Sequence, residues 1–280
     1  MIKIKAKICF VELEDKRIIK AIKELSKDKT IELVGVGKSK SSPDKAIETY
    51  YSSKNPLEKG SELLQDNLVD GLVAGAKYSS KEIIKAGIRV VGVKKDFASS
   101  YFLMKKGNKK MLFSDCGFNI NPDEKQLSKI ALQTINSAIS LGLKPKVSFV
   151  SYSTQGSAEG ESVNKIRKAV KLINSSLKKK KIPIQAEGEV QLDTAINPKV
   201  AKDKFPKSKI KGKSNVIIFP DLNSGNIGYK LLKELGGWEA IGPILQGFKK
   251  PIHDLSRGCN VEEIIDSVKI MKLEIKHSKK

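Results

Sequence analysis

Arginine is what this sequence has least of, given its charge. Of 53 basic residues, four are arginine: Arg17, Arg89, Arg167 and Arg257. Cysteine is equally sparse. Cys9, Cys116 and Cys259 are odd in number and far apart, which excludes a disulfide framework and a zinc-ligand spacing. Aromatic residues make up 6%, and neither an arginine cluster nor a known recognition motif is present. These absences weigh against a nucleic-acid-binding module. No apolar run approaches the ~18 residues that span a bilayer, so no membrane partner is expected. The start, "MIKIKAKICFVELEDKR", lacks the apolar core of an export signal and reads as a first strand. A cytoplasmic location is the expectation.

What remains is an ordinary globular composition on a very basic background. The 280 residues are 39% hydrophobic and 30% charged, enough for one large domain or two modest ones. The net charge of +22 has two readings, a polyanionic partner or a lysine-biased surface. Lysines run along the whole chain, and the densest stretch, "SLKKKKIPI" (176–184), looks like a solvated helix end. That favours the surface reading. Arginine is the better residue for forked contacts to phosphate. A chain that otherwise uses lysine, yet places Arg257 between a serine and a glycine ahead of a helix, draws attention to that loop.

Strand-like and helix-like runs alternate. Strands are predicted at 4–11, 31–37, 69–76 and 88–93, with helices at 15–25, 41–51, 58–66 and 79–87, a rhythm that argues an α/β protein with a largely parallel sheet. Gly107-Asn108 then marks a hairpin within 101–115. A helix at 123–142 is capped by Asp123. There follow a strand at 146–153, a helix at 163–179, a strand at 215–222, the loop "NSGN", a helix from Ile227, a strand at 240–247, a loop at 251–260 and a last helix. The hairpin and the break near 248–251 are the candidate boundaries.

Three loops carry candidate chemistry, because ligands of open α/β sheets bind where strand ends lead into helix starts. Thr154, Gly156 and Ser157, in "STQGSAEG", offer hydroxyls and backbone amides to an anion. The Gly-Lys-Ser/Thr ending of a P-loop is absent. Asn223, Ser224 and Asn226 follow a buried strand. For both loops plain turn chemistry is the competing reading. Ser256 and Arg257 precede the last helix. There Asn260 and Glu263 have the spacing of a capping box, and Arg257 has a bland alternative in a contact with nearby carbonyls or Asp254. His253 and His277 read as surface histidines. Cys259, beside a helix start, is a thin nucleophile candidate without a histidine nearby.

At these loops the sequence resembles the phosphate acetyltransferase and phosphate butyryltransferase family. The matching words are "SYSTQGSAEGESVNKIRKA" (151–169), "FPDLNSGN" with Tyr229-Lys230 after it, and "GPILQGFKKPIHDLSRG" (242–258). "FSDCGFNINPD" (113–123), "FVELEDKRIIKAI" (10–22) and "VDGLVAGA" (69–76) also resemble it. Between the last two, the chain is shorter than typical members by several dozen residues. Lys85 stands near a family arginine, and Glu263 stands where an aspartate is usual.

The resemblance implies two three-layer α/β domains with a cleft between them, of the isocitrate/isopropylmalate dehydrogenase kind, the first domain shortened. It sets them at 1–125 plus 250–280 and at 126–249, in a homodimer. It implies a phosphate acyltransferase that moves an acetyl or other short acyl group between CoA and phosphate, with CoA a substrate and no metal or prosthetic group. In that scheme Ser256, Arg257 and Glu263 are catalytic: Glu263 is the base for the CoA thiol, while Arg257 and Ser256 stabilise the oxyanion. Thr154, Gly156, Ser157, Asn223, Ser224, Asn226 and Lys85 bind substrate. The two departures leave an alternative open, a divergent protein with an altered substrate or one that binds such ligands without acetyl transfer. It resembles the short, methyltransferase-associated members found in methanogens.

Overall fold

The structure, a computed structural model, describes residues 5–38, 47–53, 55–94 and 97–279. From the N-terminus the elements are β1 (Ala6–Phe10), α1 (Lys16–Leu25), β2 (Ile31–Gly37), β3 (Glu48–Tyr51), α2 (Pro56–Gln65), β4 (Gly71–Ala74) and α3 (Ser80–Ala86), which runs into a π-helical turn, Gly87–Val91. Next come β5 (Ser99–Lys106), β6 (Lys109–Ser114), α4 (Glu124–Ser140), β7 (Val147–Val150), α5 (Glu161–Lys179), β8 (Glu187–Val190), α6 (Leu192–Ile196), α7 (Pro198–Lys204), β9 (Val216–Ile218) and α8 (Leu222–Glu234). The chain closes with β10 (Glu239–Gln246), β11 (Ile252–Asp254) and α9 (Val261–Ser278). The protein is α/β, in two compact units: residues 1–98 with 241–280, and residues 99–240. Sequence reasoning had carried the first domain to residue 125. The 101–115 hairpin belongs instead to the second unit, because β6 pairs in parallel with β9 there.

In the first unit the strand order is β3-β2-β1-β4-β11-β10, parallel except for β10 against β11. The sheet is wound both ways from β1, so a switch point lies between β1 and β4. The carboxyl ends of β1, β4 and β11 share one edge. α1 buries Ile18, Ala21, Ile22 and Leu25, a helical stripe, against Ile264, Ile265, Val268, Met271 and Ile275 of α9. Gly71 has no side chain because Met271 packs over it.

In the second unit the order is β5-β6-β9-β7-β8, with β6, β9, β7 and β8 parallel. Phe102, Phe113, Val150, Val190, Ile217 and Phe219 form its core, with Tyr229 of α8 stacked on Phe102 at 3.9 Å between ring centroids. The loops after β6, β7 and β9 leave from adjacent strand ends.

Several sequence expectations are corrected. Residues 48–51 form a strand, not the end of a helix, because Tyr50 and Tyr51 pair alongside β2; the rest of the predicted 41–51 helix lies largely outside the described residues. The apolar run 88–93 is mostly the π-helical turn, since a short apolar run fits a helix or a strand equally well. β8, "EGEV", went unrecognised because Glu187 and Glu189 are charged, yet both are buried in it. "NSGN" is the first turn of α8, capped by Asp221, and residues 252–254 are a strand.

Candidate functional site

The first unit's site starts from Glu12, just beyond β1. Its carboxylate is 2% exposed and accepts four successive backbone N–H groups of the turn after β4, from Gly75, Ala76, Lys77 and Tyr78, at 2.6–2.9 Å. Four charge-assisted bonds to one buried carboxylate fix that turn. Arg17, in the first turn of α1, spans from there to the loop after β11. It donates to Asp15 Oδ1 and Oδ2, to the Ala76 carbonyl at 3.0 Å, and to the carbonyls of Arg257 and Cys259 at 2.7 and 2.9 Å. The Arg257 backbone is thus pinned, while its side chain is exposed and makes no hydrogen bond or ion pair with a described residue. The alternative contact of Arg257 with Asp254 is not made: Asp254 is 1% exposed and has no hydrogen-bond partner among the described residues.

Ser256 is exposed, and its Oγ accepts the Gly258 N–H at 3.4 Å. Glu263 is half-buried and completes the capping box, its carboxylate accepting the Asn260 N–H while Asn260 Oδ1 accepts the Glu263 N–H. Ser256, Arg257 and Glu263 therefore share one loop and helix start. Lys85 is exposed on the last turn of α3. Cys259 is buried, and burial pushes its thiol up to about 11, so it is a poor thiolate nucleophile. His253 is no surface residue: it is fully buried, with Nδ1 on Ser267 Oγ and Nε2 on Glu274 Oε2, both 2.9 Å away.

The second unit repeats the device with other residues. Glu189 on β8 is buried, accepting the Gly156 N–H at 2.7 Å, the Ser153 hydroxyl at 3.1 Å and both arms of Arg167 at 3.0 Å. Burial alone would raise its carboxyl. Arg167, the Gly156 amide and the Ser153 hydroxyl outweigh burial and hold it below its usual value. Arg167 also donates to the Ala158 carbonyl. Gln155 and Gly156 have positive φ, 47° and 88°, so the turn folds tightly over Glu189.

The expectation of free amides in this loop is corrected. The N–H of Thr154 goes to Ser157 Oγ, Gln155 to the Glu189 carbonyl, Ser157 to the Thr154 carbonyl and Ala158 to Ser153 Oγ. Thr154 is buried, its hydroxyl accepting the Gln191 N–H at 2.9 Å. What faces outward is Ser157 and the start of α5, whose cap, Gly160, supplies no side-chain hydrogen bond. An uncapped helix start leaves N–H donors for an anion. On the neighbouring strand end, Asn223 is exposed, Ser224 serves the cap with Asp221, and Asn226 donates to the Cys116 carbonyl at 3.2 Å. Gly225 lets α8 lie directly on the Asp115 carbonyl.

Sequence reasoning missed the bracing roles of Glu12, Arg17, Glu189 and Arg167. The signal was the scarcity of arginine, applied to Arg257 alone when three of the four arginines serve these loops. Among the described residues no group of His, Cys, Asp and Glu is arranged to hold a metal ion, and no helix is long and apolar enough to cross a membrane.

Loops braced by buried glutamates at parallel strand ends recur in both α/β units, at the position where open α/β sheets carry their sites. The chain belongs to the phosphate acetyl/butaryl transferase family, whose sequence model matches residues 45–272. It is similar to the phosphate acetyltransferase of Staphylococcus aureus (strain Mu50), at 41% identity over 207 residues, 73% of this chain and 63% of that protein. The phosphate acetyltransferase of Bacillus subtilis is 35% identical over 300 residues, covering 92% and 91% of the two chains. That alignment is longer than the 280 residues here, so the relative carries extra residues. The solved structure of the EutD phosphotransacetylase from Staphylococcus aureus superposes with a TM-score of 0.88 at 32% identity, over 97% of this chain and 94% of that one.

Proposed function

We propose that the protein is a phosphate acyltransferase, acting by direct transfer of a short acyl group between CoA and phosphate, with neither metal nor prosthetic group. The observation that carries this reading is Arg257: a forked, permanent cation with no hydrogen-bond or ion-pair partner among the described residues, on a backbone held by Arg17 at the carboxyl end of β11. In the forward direction the CoA thiol loses its proton to Glu263, whose carboxylate lies six residues on, in the first turn of α9. The thiolate attacks the acyl carbonyl carbon. Arg257 and Ser256 stabilise the resulting oxyanion, the carbon–oxygen bond to phosphate breaks, and acyl-CoA and phosphate leave. Ser157 and the start of α5 hold the phosphoryl group, on a turn that Gly156 ties to Glu189, with Asn223, Ser224 and Asn226 beside them. Thr154 holds the loop through Gln191. Lys85 supplies a further cation.

A homodimer belongs to the same proposal. Ile227, Leu231 and Leu235 lie four residues apart along α8 and are 57%, 54% and 82% exposed. An apolar stripe of that length on an otherwise charged surface is suited to burial against a second copy.

A second reading is favoured by the engagement of Glu263 in its capping box and by Lys85 in place of arginine: the protein binds CoA and phosphate without turning them over. Mixing protein, CoA and acetyl, propionyl or butyryl phosphate and following thioester absorbance separates the two. Turnover supports transfer. Thermal stabilisation by CoA with no turnover supports the second reading.

A further inference from the structure

Asp254 ends β11, two residues before Ser256. It is 1% exposed, and neither carboxyl oxygen has a hydrogen-bond partner among the described residues. The contrast within the same protein is direct. Asp115, equally buried, receives N–H groups from Gly117, Phe118 and Asn119, the Asn119 side-chain amide and the Ser100 hydroxyl. A buried carboxylate without donors is costly, so the group takes up a proton instead.

Its surroundings explain why donors are lacking. Oδ1 lies over Gly75, where an added Cβ would stand 2.5 Å from it and would also meet the Leu255 backbone. The Gly75 N–H already goes to Glu12. Leu255 donates its own N–H to the Ala74 carbonyl, so β11 and the turn after β4 are locked together at this point. The groups acting on Asp254 are Glu12, from the loop after β1, and the Ser80 hydroxyl of α3, which is close without making a full hydrogen bond. His253, next in the strand, is turned to Ser267 and Glu274 of α9. Arg17, from α1, is spent on Asp15 and on the Ala76, Arg257 and Cys259 carbonyls.

We propose that Asp254 is a positioning residue for the Ser256–Arg257 arm and does this work as a neutral, protonated carboxyl. Neutral, it lets the arm pack on the Gly75 turn while Glu12 keeps all four amides. Ionised, it sets a second negative charge beside Glu12, with the Ser80 hydroxyl as the one nearby donor named among the described residues. The strand end then parts from the Gly75 turn and carries Ser256 and Arg257 with it. Burial, with Glu12 adding to it, pushes the Asp254 carboxyl up to about 7, which sets the change in the neutral range. The inference rests on the acyl-transfer reading for its effect on rate, but the state of Asp254 is measurable without turnover.

The test uses the full chain and Asp254→Asn, which is permanently neutral and nearly isosteric. Infrared difference spectra of the wild type should show a protonated-carboxyl band at about pH 6 that is lost by about pH 9 and is missing from Asp254→Asn. Hydrogen exchange of the amides at 255–259 should quicken over the same range in the wild type and stay level in the variant. With CoA and acetyl phosphate, wild-type kcat should fall roughly tenfold over that range with KM nearly constant, while the variant's kcat stays flat. A wild type lacking the band at about pH 6, or a variant with the wild-type pH dependence of exchange, overturns the proposal. Absence of turnover in both proteins would count against the acyl-transfer reading, while the infrared and exchange data still decide the role of Asp254.

Discussion

Arg257 and Asp254 sit three residues apart and make opposite demands, one for a permanent charge and the other for none. Arg257→Lys keeps the charge and loses the fork, so turnover should fall roughly tenfold or more in a steady-state assay, with the fold intact by circular dichroism. Asp254 predicts a pH dependence of stability. Its folded value, about 7, lies above the ordinary 3.8. The folded state therefore binds the extra proton, and stability is lost as pH rises from the ordinary value through the folded one. Asp254→Asn should gain about 2 kcal/mol relative to the wild type between about pH 5 and about pH 8, read from denaturant midpoints. At this scale the sequence was partly legible. Arg257 stood out because arginine is rare, and the Asn260–Glu263 capping box was readable from its spacing. Thr154 was not, since a buried hydroxyl and an exposed one look alike in a string of letters. Asp254 stands among the bland alternatives for Arg257, beside nearby carbonyls, because closeness in sequence hides the burial of a strand end.

The elements show why the loops can hold a site. Each braced loop depends on a buried glutamate on another segment: Glu12 for the turn after β4, Glu189 for the loop after β7. Glu189→Gln keeps the shape but weakens the contacts to Arg167 and Gly156. It should cost about 1–3 kcal/mol at neutral pH. Because the Glu189 carboxyl is held low, its contribution is present above the ordinary carboxylate range and lost as pH falls through the folded value. The variant and wild type should converge in acid, as urea melts at several pH values would show. Packing sets the second condition. Ile264→Ala, in the fully buried face of α9 against α1, should cost about 2–5 kcal/mol in the same melts. The periodic helices, the hairpin and the parallel rhythm were legible because apolar spacing reports burial directly. β8 was not, because its two buried glutamates are satisfied by residues from elsewhere: Glu187 by Ser208, Lys209 and Ile210, and Glu189 by Arg167. Tertiary partners hid the strand from a reading of local pattern.

For the molecule as a whole, the charge of +22 and the α8 stripe point in different directions. A highly charged surface resists self-association, so an exposed run of Ile227, Leu231 and Leu235 calls for a partner. Light scattering should give twice the 30.8 kDa chain mass for the wild type and the single mass for Leu231→Glu. A wild-type monomer would leave the stripe without its proposed cover. The central claim concerns acyl transfer, and one assay meets it most directly: thioester absorbance after mixing the protein with CoA and acetyl, propionyl or butyryl phosphate, run beside Arg257→Lys. A rise that requires both substrates, cut roughly tenfold or more in the variant, is what this account predicts. No rise with any of the three acyl phosphates, or a variant as fast as the wild type, would contradict it.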